Sequence, residues 1–194
     1  MWRLCLSRVL RRTVLAMVQF TPTTAIVTGA ESGIGRATAV ALAAAGMDIG
    51  ITYLSDADGA EATAAEVRSS GRRAVVAQMD VTDLEHCGDV VDKVADELGG
   101  VDVFVNDAGT GDNAPFAELT LEQWRHTVAT DLDGPFVVIQ RAVRRMVAAG
   151  RGGRVIGVTS VHEHQPPRRT TLRSTGSAAC SRRSPSRSAA TASR

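Results

Sequence analysis

Short apolar runs alternate with longer segments of helical period through most of this chain. The apolar runs lack polar alternation and have the length of buried β-strands: residues 24–29, 47–54, 74–81, 101–109 and 153–160. The segments between them predict helices over residues 34–45, 57–70 and 82–98, and one helix or more over residues 120–149. Apolar strands that alternate with helices predict a parallel sheet covered on both faces. With right-handed crossovers this is an α/β fold with a doubly wound parallel sheet of the Rossmann type.

Local signals mark the ends of several predicted helices. Three of the helices are followed by glycine, at Gly46, Gly71 and Gly99. Glycine is common there because the residue after a helix often adopts a positive φ. Thr82 with Glu85, and Thr120 with Gln123, have the spacing of capping boxes. We therefore expect helices to begin directly after Thr82 and Thr120.

The first predicted strand runs into the sequence TGAESGIG, residues 28–35, and a helix follows at once. Gly29 permits a tight turn, Gly33 lets the backbone approach a phosphate, and Gly35 allows helix and strand to pack closely. A pyrophosphate would meet the free N–H groups and positive dipole end of the helix. The strand before this turn and the helix after it predict a nucleotide-binding loop.

Further motifs follow the glycine-rich turn in order: Asp80-Val81, NDAG (106–109), Trp124 with DLDGPF (131–136), and GRVIGVTSVHE (153–163). Together these motifs resemble the short-chain dehydrogenase/reductase family over about residues 22–166. The SVHE tetrapeptide is also similar to glucose 1-dehydrogenase-like members of the family. The chain resembles 3-oxoacyl-ACP reductase-like members as well. In this family the sheet continues with two more strands, so the resemblance implies a Rossmann-type sheet that is incomplete at its C-terminal side.

The resemblance implies a site for a nicotinamide cofactor. Its phosphates would be held by Gly29, Ser32, Gly33, Ile34 and Gly35. Asp80 and Val81 would border the adenine, and the ribose beside the nicotinamide would lie against Asn106, Ala108 and Gly109. Asp107 stands where the family usually has a second asparagine.

The resemblance also implies hydride transfer between nicotinamide and an alcohol or carbonyl substrate. Ser160 matches the serine that orients the substrate oxygen, and Asp131 stands at the asparagine position of the proton relay. The family's Tyr-x-x-x-Lys pair has no counterpart, because the chain has one tyrosine, Tyr53, and one lysine, Lys93. Positioned proton transfer is typically worth about 10² to 10⁴ in rate. The chain as written is therefore expected to be catalytically impaired.

The end of the second strand bears on the choice between NAD and NADP. An NAD site usually places a carboxylate there. This chain has Tyr-Leu-Ser at residues 53–55, and Asp56 comes too late. That favours NADP slightly, although no basic residue stands there to meet a 2′-phosphate, and Ser32 rather than a basic residue precedes Gly33.

Charge is distributed unevenly along the 194 residues, although the net charge is only +1. Residues 1–16 hold four arginines and residues 168–194 hold seven, and neither segment has an acid. The middle carries the other eleven basic residues against all 21 acidic ones, about −10. An acidic body argues against nucleic-acid binding. No apolar run approaches the roughly 18 residues of a membrane span.

The three cysteines, Cys5, Cys87 and Cys180, lack CxxC or metal-ligand spacing. We expect no metal site, a reducing cytoplasmic location and a buried thiol at Cys87. Residues 1–20 are interpreted as an N-terminal extension before the dinucleotide-binding domain, residues 21–166. They resemble an organelle-targeting helix, but the favoured interpretation is a start codon assigned too early, with Met17 the true beginning.

Residues 167–194 are rich in arginine and serine and are predicted to be a disordered tail. A basic RNA- or phosphate-binding arm is one interpretation. The preferred hypothesis is a frameshift between about Pro166 and Arg169. Codons shifted by one base permit tyrosine at the 169/170 junction and lysine at the 173/174 junction, which restores Tyr-x-x-x-Lys. Sequencing the DNA across codons 160–175 tests this, and an intact frame without such an alternative overturns it.

Three functions follow from these patterns. The first is an NAD(P)-dependent oxidoreductase acting on a small alcohol or carbonyl compound. The second is a non-catalytic nucleotide-binding remnant, and the third is a nucleic-acid-binding protein that uses the basic tail. The resemblance implies a homo-oligomeric family, but the interface helices are expected to be absent from this sequence, and the fifth strand is expected to be an exposed edge.

Overall fold

Five parallel strands form one sheet in the computed structural model, which describes residues 20–110 and 115–160. The strands are β1 Thr24–Val27, β2 Asp48–Tyr53, β3 Ala74–Gln78, β4 Val103–Asn106 and β5 Arg154–Gly157. Their spatial order is β3-β2-β1-β4-β5, and every neighbouring pair is parallel. The chain winds outward from β1 to β3, then crosses to β4 and continues to β5. This order confirms the predicted doubly wound sheet.

The helices cover both faces of this sheet. They are α1 Gly33–Ala44, α2 Ala57–Ser69, α3 Cys87–Leu98, α4 Leu121–Val128 and α5 Gly134–Ala149, with a 3₁₀ turn at Phe116–Glu118. A π-helical turn, Ala129–Asp133, joins α4 to α5. The sequence pattern left open one helix or more between residues 120 and 149, and it did not reveal this turn. Gly46, Gly71 and Gly99 have φ angles of 98°, 74° and 84°, so they end their helices as expected.

One of the two predicted capping boxes is present. The Thr120 hydroxyl accepts a hydrogen bond from the Gln123 amide at 3.2 Å, and the Gln123 side chain accepts one from the Thr120 amide at 2.9 Å. The box predicted from Thr82 and Glu85 is wrong, because α3 begins only at Cys87. Asp80 accepts hydrogen bonds from both the amide and the hydroxyl of Thr82, at 2.8 and 2.7 Å, in the turn that precedes α3, and the helix starts five residues beyond Thr82.

The core lies in two layers, one on each side of the sheet. On one side α1 and α2 pack small side chains against β1 and β2, with Ala39, Ile49 and Val67 fully buried. On the other side α3 and α5 cover Phe104, which is 0% exposed. Cys87 lies in this second layer as a free, buried thiol, as predicted. Apolar runs without polar alternation are thus explained by helices on both faces.

Strand β5 forms one edge of the sheet, and all four of its residues are exposed. Val155 and Ile156 are 41% and 47% exposed, and Val147 on α5 is 74% exposed. The fifth strand is therefore an uncovered edge within residues 20–110 and 115–160, as expected. No helix in that part of the chain has both the length and the hydrophobicity to cross a membrane.

The predicted N-terminal extension lies outside the described residues apart from Phe20, whose ring packs under Arg154 with 4.4 Å from the guanidinium carbon to the ring centroid. The predicted arginine- and serine-rich tail, residues 167–194, lies entirely outside them. Cys5, Cys180 and the segment in which the frameshift hypothesis restores Tyr-x-x-x-Lys also lie outside the described residues.

Candidate functional site

The candidate site lies where the sheet reverses its strand order. The chain leaves β1 in one direction and reaches β4 on the other side, so the carboxyl ends of these neighbouring strands open into a common crevice. Thr28 joins the two ends. Its hydroxyl oxygen accepts hydrogen bonds from the amides of Asp107 at 3.1 Å and Ala108 at 2.9 Å, and its own amide donates to Val105 at 3.0 Å.

The glycine-rich turn after β1 follows the path that its sequence requires. Gly29 has φ 63°, and a Cβ there would lie 3.1 Å from the Ala108 backbone. Gly33 has φ 54° and open space at the position of a Cβ. A Cβ at Gly35 would overlap the Gly29 carbonyl oxygen. Glycine is thus required for conformation at two positions and for close packing at the third.

A cleft of about 380 Å³ opens beside this turn. Eight of the twelve residues predicted for the site line it: Gly29, Ser32, Gly33, Ile34, Asp80, Val81, Ala108 and Gly109. The remaining four, which are Gly35, Asn106, Asp131 and Ser160, are not part of its lining. Cofactor and substrate pockets commonly enclose about 300 to 1,000 Å³. The cleft is therefore large enough to hold part of a small ligand.

Asn106 and Ser160 lie at the carboxyl ends of β4 and β5. Asn106 is 5% exposed, pairs with Gly157 in the sheet and accepts the Val158 amide at 2.9 Å through its carbonyl. Its side-chain oxygen is buried without a hydrogen-bond partner. Ser160 follows β5 by three positions and is half-buried. Asn106 thus holds β5 beside the crevice.

Asp131 lies in the π-helical turn and is only 6% exposed. One carboxylate oxygen accepts the Thr110 amide at 2.9 Å, and the other is buried without a partner. The same carboxylate lies 3.4 Å from the position of a Cβ at Gly109. Asp131 therefore connects the helical layer to the loop after β4. Burial raises the pKa of Asp131, and the single hydrogen bond and His126 oppose this only in part.

Acidic side chains dominate the titratable groups of the cleft. Glu31, Asp80 and Asp107 line it together with His126, and no lysine or arginine is among its described lining residues. Burial raises the pKa of Asp107, a hydrogen bond from the Gly35 backbone opposes this, and Glu31 adds to the increase. One carboxylate oxygen of Glu31 is buried without a partner.

Ten further residues line the cleft: Glu31, Thr52, Tyr53, Leu54, Met79, Thr82, Asp107, Thr110, His126 and Thr130. Tyr53, Leu54 and Asp107 were considered in connection with the cofactor from the sequence, and the other seven were not. Most of them lie within a few positions of a predicted motif or strand end. His126 and Thr130 come from α4 and the π-helical turn, and nothing in their local sequence marks them. The described residues contain no group of three or more potential metal ligands.

Tyr53 and Lys93 lie in separate elements. Tyr53 ends β2 and lines the cleft, while Lys93 lies on the exposed side of α3. Asp56 is engaged in capping α2, since its carboxylate accepts the Gly59 amide at 2.9 Å, and it does not line the cleft. The chain therefore has neither a Tyr-x-x-x-Lys pair nor a carboxylate at the end of β2 facing the cleft.

Comparisons with known proteins agree with this architecture. The family profile described as short chain dehydrogenase matches residues 23–181, somewhat beyond the range inferred from the motifs. The uncharacterized oxidoreductase YohF of Escherichia coli is 46% identical over 142 residues, which are 73% of this chain and 56% of that protein. The 3-oxoacyl-[acyl-carrier-protein] reductase of Synechocystis is 34% identical over 145 residues, 75% of this chain and 58% of that protein.

Solved structures give the same result. The crystal structure of acetoin dehydrogenase YohF from Salmonella typhimurium matches with a TM-score of 0.73 and 40% identity, over 82% of this chain and 64% of that one. This chain spans little more than half the length of the curated relatives named above. Because the family profile covers most of the sequence and the Salmonella structure matches the fold of this chain, the chain belongs to the short-chain dehydrogenase family.

Proposed function

We propose that this chain is an oxidoreductase of the short-chain dehydrogenase type that binds NAD or NADP in the cleft between the ends of β1 and β4. The observation that carries the proposal is the glycine turn. Gly29 and Gly33 have positive φ angles, which glycine adopts readily. Gly33 also has open space at the Cβ position and lines the cleft. Backbone amides at the amino end of α1 suit an anionic phosphate.

Each predicted residue has a role in this proposal. Ser32, Gly33 and Ile34 lie at the start of α1 and would contact the phosphates, while Gly29 and Gly35 let the turn pack closely. The adenine would lie against Asp80 and Val81, and the nicotinamide ribose against Asn106, Ala108 and Gly109. A bound nicotinamide supplies hydride donation or acceptance. Ser160 would orient the substrate oxygen and Asp131 would take part in proton transfer.

The preference between NAD and NADP is open to a direct test. The absent carboxylate after β2 favours NADP slightly, but the described lining has no lysine or arginine for a 2′-phosphate. We expect NADH and NADPH to bind with dissociation constants within about tenfold of each other. Fluorescence titration with both cofactors checks this, and a difference of several hundredfold would contradict it.

Small hydroxyketones are proposed as the first substrates to try. Two similar solved structures, from Salmonella typhimurium and Enterobacter cloacae, are named acetoin dehydrogenases. Acetoin and diacetyl are therefore assayed first, within a broader panel of alcohols and ketones. Nicotinamide absorbance at 340 nm reports turnover.

A nucleotide-binding protein without turnover is the second candidate. It is favoured by the one tyrosine and one lysine, which are too far apart in the sequence to form Tyr-x-x-x-Lys. Cofactor binding together with no oxidation or reduction of any substrate in the panel selects this candidate. Measurable turnover selects the enzyme.

A pair of glycine substitutions tests the cofactor site itself. Gly33 and Gly71 both have positive φ, at 54° and 74°, and open space at the Cβ position, but only Gly33 lines the cleft. We expect Gly33→Ala and Gly71→Ala each to lower the free energy of unfolding by about 1–2 kcal/mol. Only Gly33→Ala should weaken cofactor binding, by about tenfold. Equal binding by the two variants would contradict the proposed site.

A further inference from the structure

Asp107 lies at the amino end of α1, although it follows β4 in the sequence. Its carboxylate would be 2.8 Å from a Cβ at Gly35, and the Gly35 backbone amide donates a hydrogen bond to it. The first amides of a helix have no partner within the helix. A carboxylate of the chain itself therefore occupies one donor next to the place where the proposed function puts cofactor phosphates.

The groups around Asp107 are mostly acidic. The turn after β1 contributes Glu31, the end of β3 contributes Asp80, and Asp131 approaches Gly109 from the π-helical turn. His126, on α4, is the one group among the described lining residues that can become a cation by protonation. Asp80 is engaged by Thr82, whereas one oxygen of Glu31 is buried without a partner. A phosphate entering this cleft would meet several like charges.

The protonated form of Asp107 changes this balance. An ionised carboxylate is only an acceptor, but a protonated carboxyl can donate a hydrogen bond to a phosphate oxygen. Burial, aided by the charge of Glu31, raises the pKa of Asp107 despite the Gly35 hydrogen bond. The neutral form is therefore more accessible at Asp107 than at an exposed aspartate.

The position of the loop does not depend on this carboxylate. The amides of Asp107 and Ala108 are both held by the Thr28 hydroxyl. The carboxylate can accordingly change its protonation state while the backbone stays in place. An asparagine at this position could still accept the Gly35 hydrogen bond through its side-chain oxygen.

We propose that Asp107 makes cofactor binding proton-linked, so that a proton is taken up on its carboxyl group when the phosphates of a nicotinamide dinucleotide enter the cleft. The inference rests on the proposed function. It makes Asp107 a positioning residue for the phosphates, and it implies that the affinity for NADH increases as the pH falls.

Calorimetric titration of the full chain with NADH tests the proposal. NADH is used because a phosphate monoester such as the 2′-phosphate of NADPH titrates near pH 6 by itself. Titrations between about pH 5 and pH 8 give the dependence of the dissociation constant on pH. Repeating them in two buffers of different ionisation enthalpy gives the number of protons taken up.

We expect Asp107→Asn to bind NADH about tenfold more tightly at pH 8 and to lose most of the proton uptake. In Glu31→Gln, the pH above which NADH binding weakens should be lower, because the negative charge of Glu31 that raises the pKa of Asp107 is gone. Asp58→Asn, an equal charge change at an exposed position outside the cleft, should match the unsubstituted chain.

The outcomes separate this inference from the proposed function. If Asp107→Asn binds NADH with the same affinity, pH slope and proton uptake as the unsubstituted chain, the role of Asp107 is overturned while the cofactor site stands. If neither the chain nor any variant binds NADH across this pH range, both proposals are overturned.

Discussion

Asp102 and Asp131 are about equally buried, at 5% and 6% exposure, yet their pKa values move in opposite directions. Burial alone would raise the pKa of Asp102, but hydrogen bonds from Thr23 and Thr24 and the charge of Arg151 outweigh it and lower the pKa. Asp131 has one amide donor, from Thr110, and one oxygen without a partner. Burial raises both pKa values, and the opposite directions follow because several donors and the Arg151 charge outweigh burial at Asp102 but one amide and His126 do not at Asp131.

Asp131 should therefore make stability depend on pH. Its folded-state pKa is raised, so its contribution to stability is fully present below the unfolded-state value, about 4, and is lost as the pH rises through the folded-state pKa. We expect Asp131→Asn to increase the free energy of unfolding by about 1 kcal/mol at pH 8 and by less at pH 5. Urea unfolding at both pH values measures this difference.

The control for that measurement is Asp133→Asn, because Asp133 is exposed and only two positions away in the same turn. Its effect should be small and equal at the two pH values. A larger stabilisation by Asp131→Asn at pH 5 than at pH 8 would contradict the assignment of an uncompensated buried carboxylate.

At the scale of elements, helix α4 depends on a local signal. The Thr120–Gln123 capping box satisfies amide groups at its start, and the helix has only eight residues before the π-helical turn. We expect Thr120→Ala to lower the free energy of unfolding by about 1 kcal/mol. Thr82→Ala is the comparison. It should leave helix α3 intact, because α3 begins at Cys87 without using the Thr82 hydroxyl.

Circular dichroism at 222 nm together with thermal unfolding checks the pair. A loss of helical signal in Thr82→Ala equal to that in Thr120→Ala would contradict the structure around Asp80. The pair also shows why one capping box could be predicted and the other could not. Spacing alone cannot reveal that a turn containing Thr82 precedes α3 and delays its start to Cys87.

The sheet and its phosphate turn could be predicted because their signals are local. Apolar runs predicted β1 to β5, and glycines with positive φ marked the turn and several helix ends. The cleft was only partly predictable. The contact of Asp107 with the Gly35 amide joins residues far apart in the sequence, as does the approach of His126 to the cleft from α4. The spacing of apolar residues in the sequence does not indicate the π-helical turn.

Long-range ion pairs were likewise beyond prediction from the sequence. Arg141 on α5 binds Asp89 and Asp92 on α3, at 2.7 and 2.9 Å. Arg145, four residues later on α5, forms ion pairs with Asp92 and Asp96. The sequence pattern shows only charged helix faces, and the pairing depends on how α3 and α5 pack. Exposed pairs of this kind typically contribute under about 1 kcal/mol each.

At the scale of the whole molecule, the main structural weakness is the β5 edge, which no described residue in 20–110 or 115–160 covers. An edge strand presents unpaired backbone groups that can bind another chain, and Val155 and Ile156 add exposed apolar surface. We expect the purified chain to self-associate. Ile156→Lys should reduce that association at least about threefold at equal protein concentration, because edge lysines oppose strand pairing.

Static light scattering of the full chain measures this effect. Leu84→Lys provides the matched control, since Leu84 is 41% exposed but lies outside the sheet. If both lysine variants reduce scattering equally, net charge rather than the β5 edge governs association. A monodisperse monomer without any substitution would contradict the expectation.

The hydroxyl of Thr28 has a consequence for how the cleft responds to a ligand. One oxygen receives amides from both Asp107 and Ala108, so the segments after β1 and β4 cannot separate without breaking two hydrogen bonds. This wall of the cleft is thus preorganised, and binding need not spend free energy to order it. The adjustment that a ligand demands is left to lining residues from other elements, such as His126 on α4 and Thr130 in the π-helical turn.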